Sequence, residues 1–427
     1  MGYTKNSCEA KVIAIIHDGE IVESANGPTE IECAFDQTPF YAESGGQVGD
    51  QGGVESKISL NQPLYGTVLN TQKPVGNVHV HRVRLTSGIL KVGDTLRLQV
   101  DESRRQSIRR NHSATHLLHH VLREVLGPHV TQKGSLVDAE RLRFDYSHGK
   151  PLSREQRLQI ESEVNRMILE NVPTSVVEMP VEEAKNTGAL SLFGEKYGDR
   201  VRVVTIASNS VEFCGGTHVE RSGDIGIFMI VSDVGIAQGV RRIEAISGRV
   251  ALARVQELTR TIDEVQSRLR ANHVPEIAEK IDRLNLDLKQ KNVEIERLQQ
   301  QLAVGGKSKG ESEINEIAGI RYVVRQLGDI DPKVMRSAAD TIRDRLGSGV
   351  VVLGCQRGDK ANLLVAVTSD LLDRLHAGKL VAKLALYVDG RGGGKPDLAQ
   401  AGGANPAGLA DALDAVGSVI EERLRSH

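Results

Sequence analysis

Two pairs of potential metal ligands, far apart in the chain, constrain the fold more than any other feature of this sequence. His112 and His116 are spaced i, i+4 in a segment with helical periodicity, so both imidazoles should leave one helix face. Cys214 and His218 belong to Cys-Gly-Gly-Thr-His, where the two glycines favour a small loop. One thiolate and three imidazoles form the tetrahedral donor set that suits zinc. We therefore predict one Zn2+ ion per chain, held by both pairs together.

Two further histidines lie next to the first pair. His119 falls on a flank of the same predicted helix face, and His120 follows it. Because no distant residue pairs with His119 in the sequence pattern, we predict that it lies behind the ligands or in solvent. No Asp or Glu is marked by the sequence as an obligatory catalytic base.

Composition restricts the class of protein and of partner. A chain of 427 residues exceeds one hydrophobic core, so two to four domains are expected. Aromatic residues make up only 3% with no Trp, which argues against a base-stacking platform for single-stranded nucleic acid. The net charge is −2, so any contact with nucleic acid must come from local basic patches.

The cysteines and the hydropathy indicate a cytoplasmic protein. Cys8, Cys33, Cys214 and Cys355 are widely scattered and are not spaced as a disulfide framework, which fits a reducing compartment. No apolar run approaches the roughly 20 residues that a membrane-spanning helix needs, so no membrane partner is expected.

The pattern of secondary structure predicts an α+β multidomain protein. Short strands with glycine turns favour an N-terminal antiparallel β-barrel, which includes a predicted strand at 57–60. An α/β domain with both ligand pairs follows, and then a heptad segment in which Pro275 marks the turn of an antiparallel coiled-coil helical hairpin. A glycine-rich linker at 304–310 leads to a C-terminal α/β domain. The predicted boundaries of these four domains are 1–102, 103–247, 248–303 and 304–427.

Two segments are candidates for contact with phosphate groups. The first is the basic start of the predicted ligand helix, which is either a phosphate clamp near the metal or a solvated helix end; it contains Arg104, Arg105, Arg109 and Arg110. The second is a glycine-rich loop with a lysine at the mouth of a helix, whose backbone N–H groups can hold a phosphate. It consists of Gly392, Gly393, Gly394 and Lys395, and its alternative interpretation is a turn with a tight helix contact.

Six motifs, in this order along the chain, resemble the C-terminal half of alanyl-tRNA synthetase, and the first five also resemble free-standing alanyl-tRNA editing proteins. The motifs are Thr38-Pro-Phe-Tyr-Ala-Glu-Ser-Gly-Gly-Gln-Val-Gly-Asp, His112-Ser-Ala-Thr-His, Gln132-Lys-Gly-Ser, Cys214-Gly-Gly-Thr-His, Gly239-Val-Arg-Arg-Ile-Glu-Ala and Gly392-Gly-Gly-Lys-Pro. The resemblance extends over essentially the whole chain, and the ordered series is far more specific than any single motif.

This resemblance implies an editing module that hydrolyses mischarged Ser-tRNA(Ala) and Gly-tRNA(Ala). Such correction is needed because a pocket shaped for alanine cannot reject glycine sterically and rejects one added hydroxyl weakly. It implies that His112, His116, Cys214 and His218 are the zinc ligands and that Thr115 and Gln132 line the editing pocket as catalytic residues. The C-terminal domain is implied to bind tRNA(Ala) and to form a homodimer.

The resemblance also implies what this chain does not do alone. No segment resembles the ATP-dependent aminoacylation domain, so we expect a C-terminal portion of the synthetase or an editing factor that acts in trans. The alternative is a non-catalytic module for tRNA binding and dimerisation with a structural zinc. Four protein ligands usually close a zinc site, so either one ligand exchanges for water or substrate, or the metal only orients the substrate.

Overall fold

A computed structural model describes residues 2–56, 64–190, 198–207, 209–305 and 314–425 of the chain. These fall into two compact units, Met1–Glu264 and Val265–His427. The predicted strand at 57–60 and most of the predicted linker at 304–310 lie outside the described residues. The described residues form a mixed α+β protein, whereas the division into four domains stays a prediction.

The first unit begins with a closed antiparallel barrel, as the alternating pattern of short strands predicts. Six strands follow one another around it in the order β1-β4-β7-β6-β5-β9, and β9 pairs with β1 to close the ring. In addition, β2 pairs with β1, and β3 pairs with β8. The strands are β1 (Ser7–His17), β2 (Glu20–Val22), β3 (Ser24–Asn26), β4 (Thr29–Phe35), β5 (Gly52–Glu55), β6 (Tyr65–Val75), β7 (Val78–Ser87), β8 (Ile89–Lys91) and β9 (Thr95–Val100). In β9, Leu96, Leu98 and Val100 point into the barrel core and alternate with exposed residues, which is the period of a strand with one buried face.

A long helix follows the barrel and carries the first ligand pair. Helix α1 (Glu102–Leu126) begins at Asp101, whose side chain accepts a hydrogen bond from the Arg104 backbone N–H, and it ends at Gly127. Several of its apolar side chains, among them Leu117 and Val121, are fully buried in one core with both neighbouring sheets.

Two antiparallel sheets and two shorter helices complete the α/β part of the first unit. The sheet β10-β11-β16-β15 and the sheet β12-β13-β14 both contact α1. The elements are β10 (Gln132–Val137), β11 (Leu142–Ser147), α2 (Arg154–Leu169), β12 (Ser175–Pro180), α3 (Val181–Lys185), β13 (Arg200–Ile206), β14 (Ser210–Phe213), β15 (Phe228–Ala237) and β16 (Val240–Ser247). Ser153 caps α2 through a capping box with Gln156.

The heptad segment is helical, as predicted. It forms α4 (Gly248–Leu269) and α5 (Glu276–Gly305), which flank the predicted turn. Most of the described side chains of the heptad seam are nevertheless exposed: Ile262 is 41% exposed and Leu288 is 61% exposed. The paired coiled-coil packing therefore stays a prediction.

The second unit contains a six-stranded sheet between two layers of helices. The order is β17-β18-β19-β20-β22-β21, and only β18 and β19 are parallel among these described pairs. Its elements are β17 (Asn315–Ile317), β18 (Ile320–Leu327), α6 (Pro332–Leu346), β19 (Val350–Arg357), β20 (Lys360–Val367), α7 (Ala377–Leu384), β21 (Gly390–Gly394), β22 (Leu398–Gly403), α8 (Leu409–Asp414) and α9 (Val416–Arg425). Val350 and Val352 face the core with α7, α8 and α9, and Val351 and Leu353 face α6, so β19 is apolar on both faces.

Among all described helices, none has the length and apolar character to cross a membrane.

A buried ion pair fixes α1 against the loop that follows β4. Arg105 is 1% exposed and Asp50 is 1% exposed. Arg105 Nε donates to Asp50 Oδ2 at 3.0 Å, and its Nη2 donates to the Pro39 carbonyl at 2.7 Å. Asp50 Oδ2 also accepts from the Tyr41 backbone N–H at 2.7 Å. This network holds the loop in a fixed position beside the helix.

Replacing Arg105 by Leu should leave the Asp50 carboxylate buried without its cation. We expect the free energy of unfolding, measured by urea with circular dichroism, to fall by about 3–5 kcal/mol. Arg97→Leu is the matched control, because Arg97 forms only an exposed pair with Glu55 at 3.9 Å, and it should cost less than about 1 kcal/mol. Equal stability of the two variants would contradict this role of the buried pair.

Candidate metal centre and adjoining pocket

The first ligand pair leaves one face of α1, as the i, i+4 spacing predicts. The rings of His112 and His116 are stacked, with centroids 5.2 Å apart and planes 18° apart. Both side chains are buried, with 5% and 6% exposure. The helix therefore presents two imidazoles side by side toward the interior of the first unit.

The second pair arrives on the loop directly after β14. Arg202 Nη1 donates to the Cys214 and Gly216 carbonyls at 3.3 and 2.7 Å, which fixes the course of this loop. The Gly216 N–H donates to Cys214 Sγ at 3.3 Å. A Cβ atom at Gly216 would lie 2.0 Å from His112 Cε1, so only glycine lets the loop approach the helix this closely.

The fold brings the four predicted ligands together. The ligand atoms of His112, His116, Cys214 and His218 all lie within 4.8 Å of one another. Cys214 Sγ lies 3.4 Å from His112 Nε2 and 3.2 Å from His218 Nε2. This cluster is a candidate metal centre, and its single sulfur and three nitrogens fit zinc.

The electrostatics of the cluster favour a thiolate. Burial acts to raise the pKa of the Cys214 thiol, but the adjacent histidines, His112 above all, outweigh it and hold that pKa well below its usual range. Burial lowers the pKa of His218 to about 3, which leaves that imidazole neutral. A thiolate and a neutral imidazole are the protonation states that metal ligands require.

Each of the three imidazoles engages its other ring nitrogen in a hydrogen bond. The Nδ1 atoms of His112, His116 and His218 contact Gln47 Oε1 at 2.7 Å, Glu212 Oε2 at 2.6 Å and Ser113 Oγ at 3.2 Å, respectively. These bonds fix the ring orientations and leave the Nε2 atoms for the cluster, which is the usual arrangement around a metal-binding histidine. The donor set and its supporting contacts therefore both fit a zinc ion.

Sequence reasoning missed Glu212, which is the carboxylate behind the cluster. It is 3% exposed and contacts two histidines: Oε2 lies 2.6 Å from His116 Nδ1, and Oε1 lies 2.8 Å from His119 Nδ1. Burial acts to raise its pKa, but the facing His116 and His119 imidazoles outweigh burial and lower it to about 2. Glu212 precedes Cys214 by two residues at a strand end, and this period-2 spacing was the available signal. His119 itself is buried behind the ligands, one of its two predicted locations.

A pocket of about 240 Å³ opens beside the cluster. The predicted catalytic residues Thr115 and Gln132 both line it, together with His112, His116 and Cys214. Thr115 Oγ1 donates to the Asn111 carbonyl at 2.8 Å, so its hydroxyl proton is engaged and its lone pairs remain to accept hydrogen bonds. The structure thus places both predicted pocket residues next to the metal ligands.

The predicted basic clamp on α1 needs correction at one residue. Arg105 does not contact phosphate, because it is buried in the ion pair with Asp50. The other three arginines are half-buried, and each donates to a backbone carbonyl: Arg104 to Gly49, Arg109 to Tyr3 and Arg110 to Asp224. Of the four arginines of the predicted clamp, these three remain candidates for contact with a nucleic acid.

The glycine-rich segment near the C-terminus also differs from its prediction. Gly392, Gly393 and Gly394 belong to strand β21, which pairs with β22, and no helix begins directly after them. A Cβ atom at Gly392 would lie 2.3 Å from Ala401 Cβ, so glycine here permits close strand pairing. Lys395 forms the turn through its N–H, which donates to the Leu398 carbonyl at 3.0 Å. The segment is exposed.

Three family models match parts of the chain. Residues 1–104 match tRNA synthetases class II (A), residues 201–244 match the Threonyl and Alanyl tRNA synthetase second additional domain, and residues 319–422 match the DHHA1 domain. The first segment contains the closed barrel, the second contains β13, β14 and the Cys214 loop, and the third contains most of the six-stranded sheet.

Curated relatives match nearly the whole chain. The alanine–tRNA ligase of Shewanella amazonensis is 44% identical over 426 residues, which cover 99% of this chain and 48% of that protein. The alanine–tRNA ligase of Listeria monocytogenes is 41% identical over 424 residues, which cover 99% of this chain and 48% of that protein. This chain therefore spans about half the length of the curated relatives it matches.

Among solved structures, the C-Ala domain from Aquifex aeolicus alanyl-tRNA synthetase is 25% identical, with a TM-score of 0.24. The match covers 25% of this chain and 96% of that chain.

The two adjacent glycines of the ligand loop offer a matched test of the metal centre. Gly216→Ala should reduce the zinc content of the purified protein, measured by atomic emission, because the new methyl group collides with His112. Gly215→Ala should keep its zinc, because a Cβ atom there meets no heavy atom within 4 Å. Equal zinc content in the two variants would contradict the observed approach of the loop to α1.

Proposed function

Because the chain matches the C-terminal half of alanine–tRNA ligase over 99% of its own length, we propose that it hydrolyses the ester bond of mischarged Ser-tRNA(Ala) and Gly-tRNA(Ala). The observation that carries this proposal is the pocket that Thr115 and Gln132 share with His112, His116 and Cys214 of the four-residue cluster. The match to the second additional domain of threonyl and alanyl tRNA synthetases supports it.

The chemistry of the site suits an activated ester. A bound zinc ion would supply positive charge to polarise a carbonyl oxygen or to lower the pKa of water. Thr115, whose proton is donated to Asn111, accepts a hydrogen bond from a water molecule or the substrate amine. The Gln132 amide, on strand β10, offers both donors and acceptors to the same pocket. Together they orient water and the aminoacyl group.

A second candidate function is a non-catalytic tRNA-binding module with a structural zinc. The observation that favours it is the set of four protein ligands, since structural zinc sites are usually closed by four residues. The adjoining pocket favours hydrolysis instead, because a purely structural site needs no cavity beside its ligands. Release of serine from the tRNA distinguishes the two functions.

The proposed partner is tRNA(Ala) in the cytoplasm. Arg104, Arg109 and Arg110 are the proposed contacts for the acceptor end, because they lie on the same helix as two of the ligands. Lys395 and the exposed glycines Gly392–Gly394 are the proposed contacts of the second unit, which we also propose as the site of homodimerisation. Phosphate contacts of this kind carry no sequence information and should weaken with salt.

The purified chain should release serine from Ser-tRNA(Ala) faster than alanine from correctly charged Ala-tRNA(Ala). We expect Cys214→Ala to lose both zinc and this activity, since the thiolate is one of four ligands. The chain should not catalyse ATP–pyrophosphate exchange with alanine, because the proposed function is confined to ester hydrolysis. Zinc-loaded protein that releases no serine would instead support the non-catalytic function.

A further inference from the structure

His119 occupies the pocket without belonging to the ligand cluster. It lies three residues after His116 on α1, so the two side chains are neighbours on one helix face. Its side chain is 4% exposed, and it lines the same pocket as Thr115 and Gln132. The Phe144 ring packs beside it, with centroids 5.1 Å apart.

The contact with Glu212 fixes which nitrogen of His119 carries its proton. His116 directs Nε2 toward the cluster, so its Nδ1–H donates to Glu212 Oε2 at 2.6 Å. The other carboxylate oxygen, Oε1, lies 2.8 Å from His119 Nδ1 and accepts that N–H in turn. In the tautomer with its proton at Nδ1, the His119 ring presents Nε2 as a hydrogen-bond acceptor.

His119 Nε2 has no hydrogen-bond partner among the residues that the structure describes, although it is buried. Buried polar atoms are almost always paired, and an exception points to a missing ligand or water. The side chain lines the pocket, and a buried Nε2 with a free lone pair needs a hydrogen-bond donor, so the pocket is the route by which such a donor would reach it. A water molecule positioned to attack the ester is such a donor.

We propose that His119 is a catalytic residue: its Nε2 accepts a proton from the attacking water, while Glu212 holds the Nδ1–H and stabilises the imidazolium. This inference rests on the proposed ester hydrolysis. As the water oxygen bonds to the carbonyl carbon, one water proton moves to Nε2. The bond between that carbon and the ribose oxygen then breaks, and Nε2 returns the proton to the ribose oxygen. Glu212 and His119 thus form a carboxylate–histidine pair, in which the carboxylate orients the base.

Two variants separate this chemistry from a structural role. His119→Asn keeps an N–H donor for Glu212 and removes the base, whereas His119→Ala removes both. His120→Ala is the matched control, because His120 is the adjacent helix residue and pairs instead with Glu124 at 3.2 Å. Each variant is loaded with zinc and assayed for its metal content, for release of serine from Ser-tRNA(Ala), and for affinity toward a non-hydrolysable seryl-amide analogue of the terminal adenosine.

We expect zinc-loaded His119→Asn to lose about 10²–10⁴-fold in kcat, the usual contribution of a general base. Its affinity for the analogue should remain within about threefold, and its zinc content should equal that of the wild type. Added imidazole should restore part of the rate of His119→Ala without stimulating the wild type. The side-chain nitrogen NMR shifts of His119 should report a proton at Nδ1 and none at Nε2.

The outcomes distinguish this inference from the proposed function. A wild-type chain that carries zinc and releases no serine overturns the proposed hydrolysis and this inference with it. An active wild type together with an equally active, zinc-loaded His119→Asn overturns the inference alone. Loss of analogue affinity with an unchanged kcat also overturns it, because His119 would then bind substrate and not carry the proton.

Discussion

One buried amide joins the three segments on which the candidate metal centre depends. Gln47 is fully buried, and its Oε1 accepts from His112 Nδ1 at 2.7 Å and from the Thr217 backbone N–H at 2.9 Å. Its Nε2 donates to Thr217 Oγ1 at 3.0 Å. The loop that follows β4, the ligand helix and the ligand loop therefore meet at a single side chain. Because every hydrogen bond of this amide is internal, a shift of any one segment leaves a buried polar group unpaired.

The buried Arg105–Asp50 pair holds the same loop against α1. Asp50 lies three residues after Gln47, so this loop has two buried contacts with the helix. Glu212 contacts both His116 and His119, of which only His116 belongs to the candidate ligands. Because both histidines line the pocket, the candidate metal centre and the pocket share this hydrogen-bonded network.

The sequence predicted those features that local periodicity encodes. The helical spacing of His112 and His116 and the short strands of the barrel both follow from neighbours in the chain. The Cys-Gly-Gly-Thr-His motif indicated the other two candidate ligands, because cysteine and histidine are typical zinc ligands and the two glycines favour a small loop. These features required no knowledge of long-range packing.

The features that were missed or wrong depend on contacts between distant residues. Arg105 resembles its neighbouring arginines in sequence, and only the burial of Asp50 shows that it is structural. The position of Glu212 behind the cluster is visible only from its contacts with His116 and His119, which lie on α1. Gly392–Gly394 form a strand and not the predicted loop. Glycine favours loops in general, and the need for glycine here becomes visible only from the close approach of Ala401 on the paired strand.

X-ray absorption at the zinc edge measures whether one zinc ion is held by His112, His116, Cys214 and His218. We expect one sulfur scatterer at about 2.3 Å and three nitrogen scatterers at about 2.0–2.1 Å around the metal. Cys214→Ser should remove the sulfur scatterer and leave the nitrogen shell. A purified wild-type chain without zinc, or zinc with no sulfur in its first coordination shell, would show that these four residues do not form the proposed zinc site.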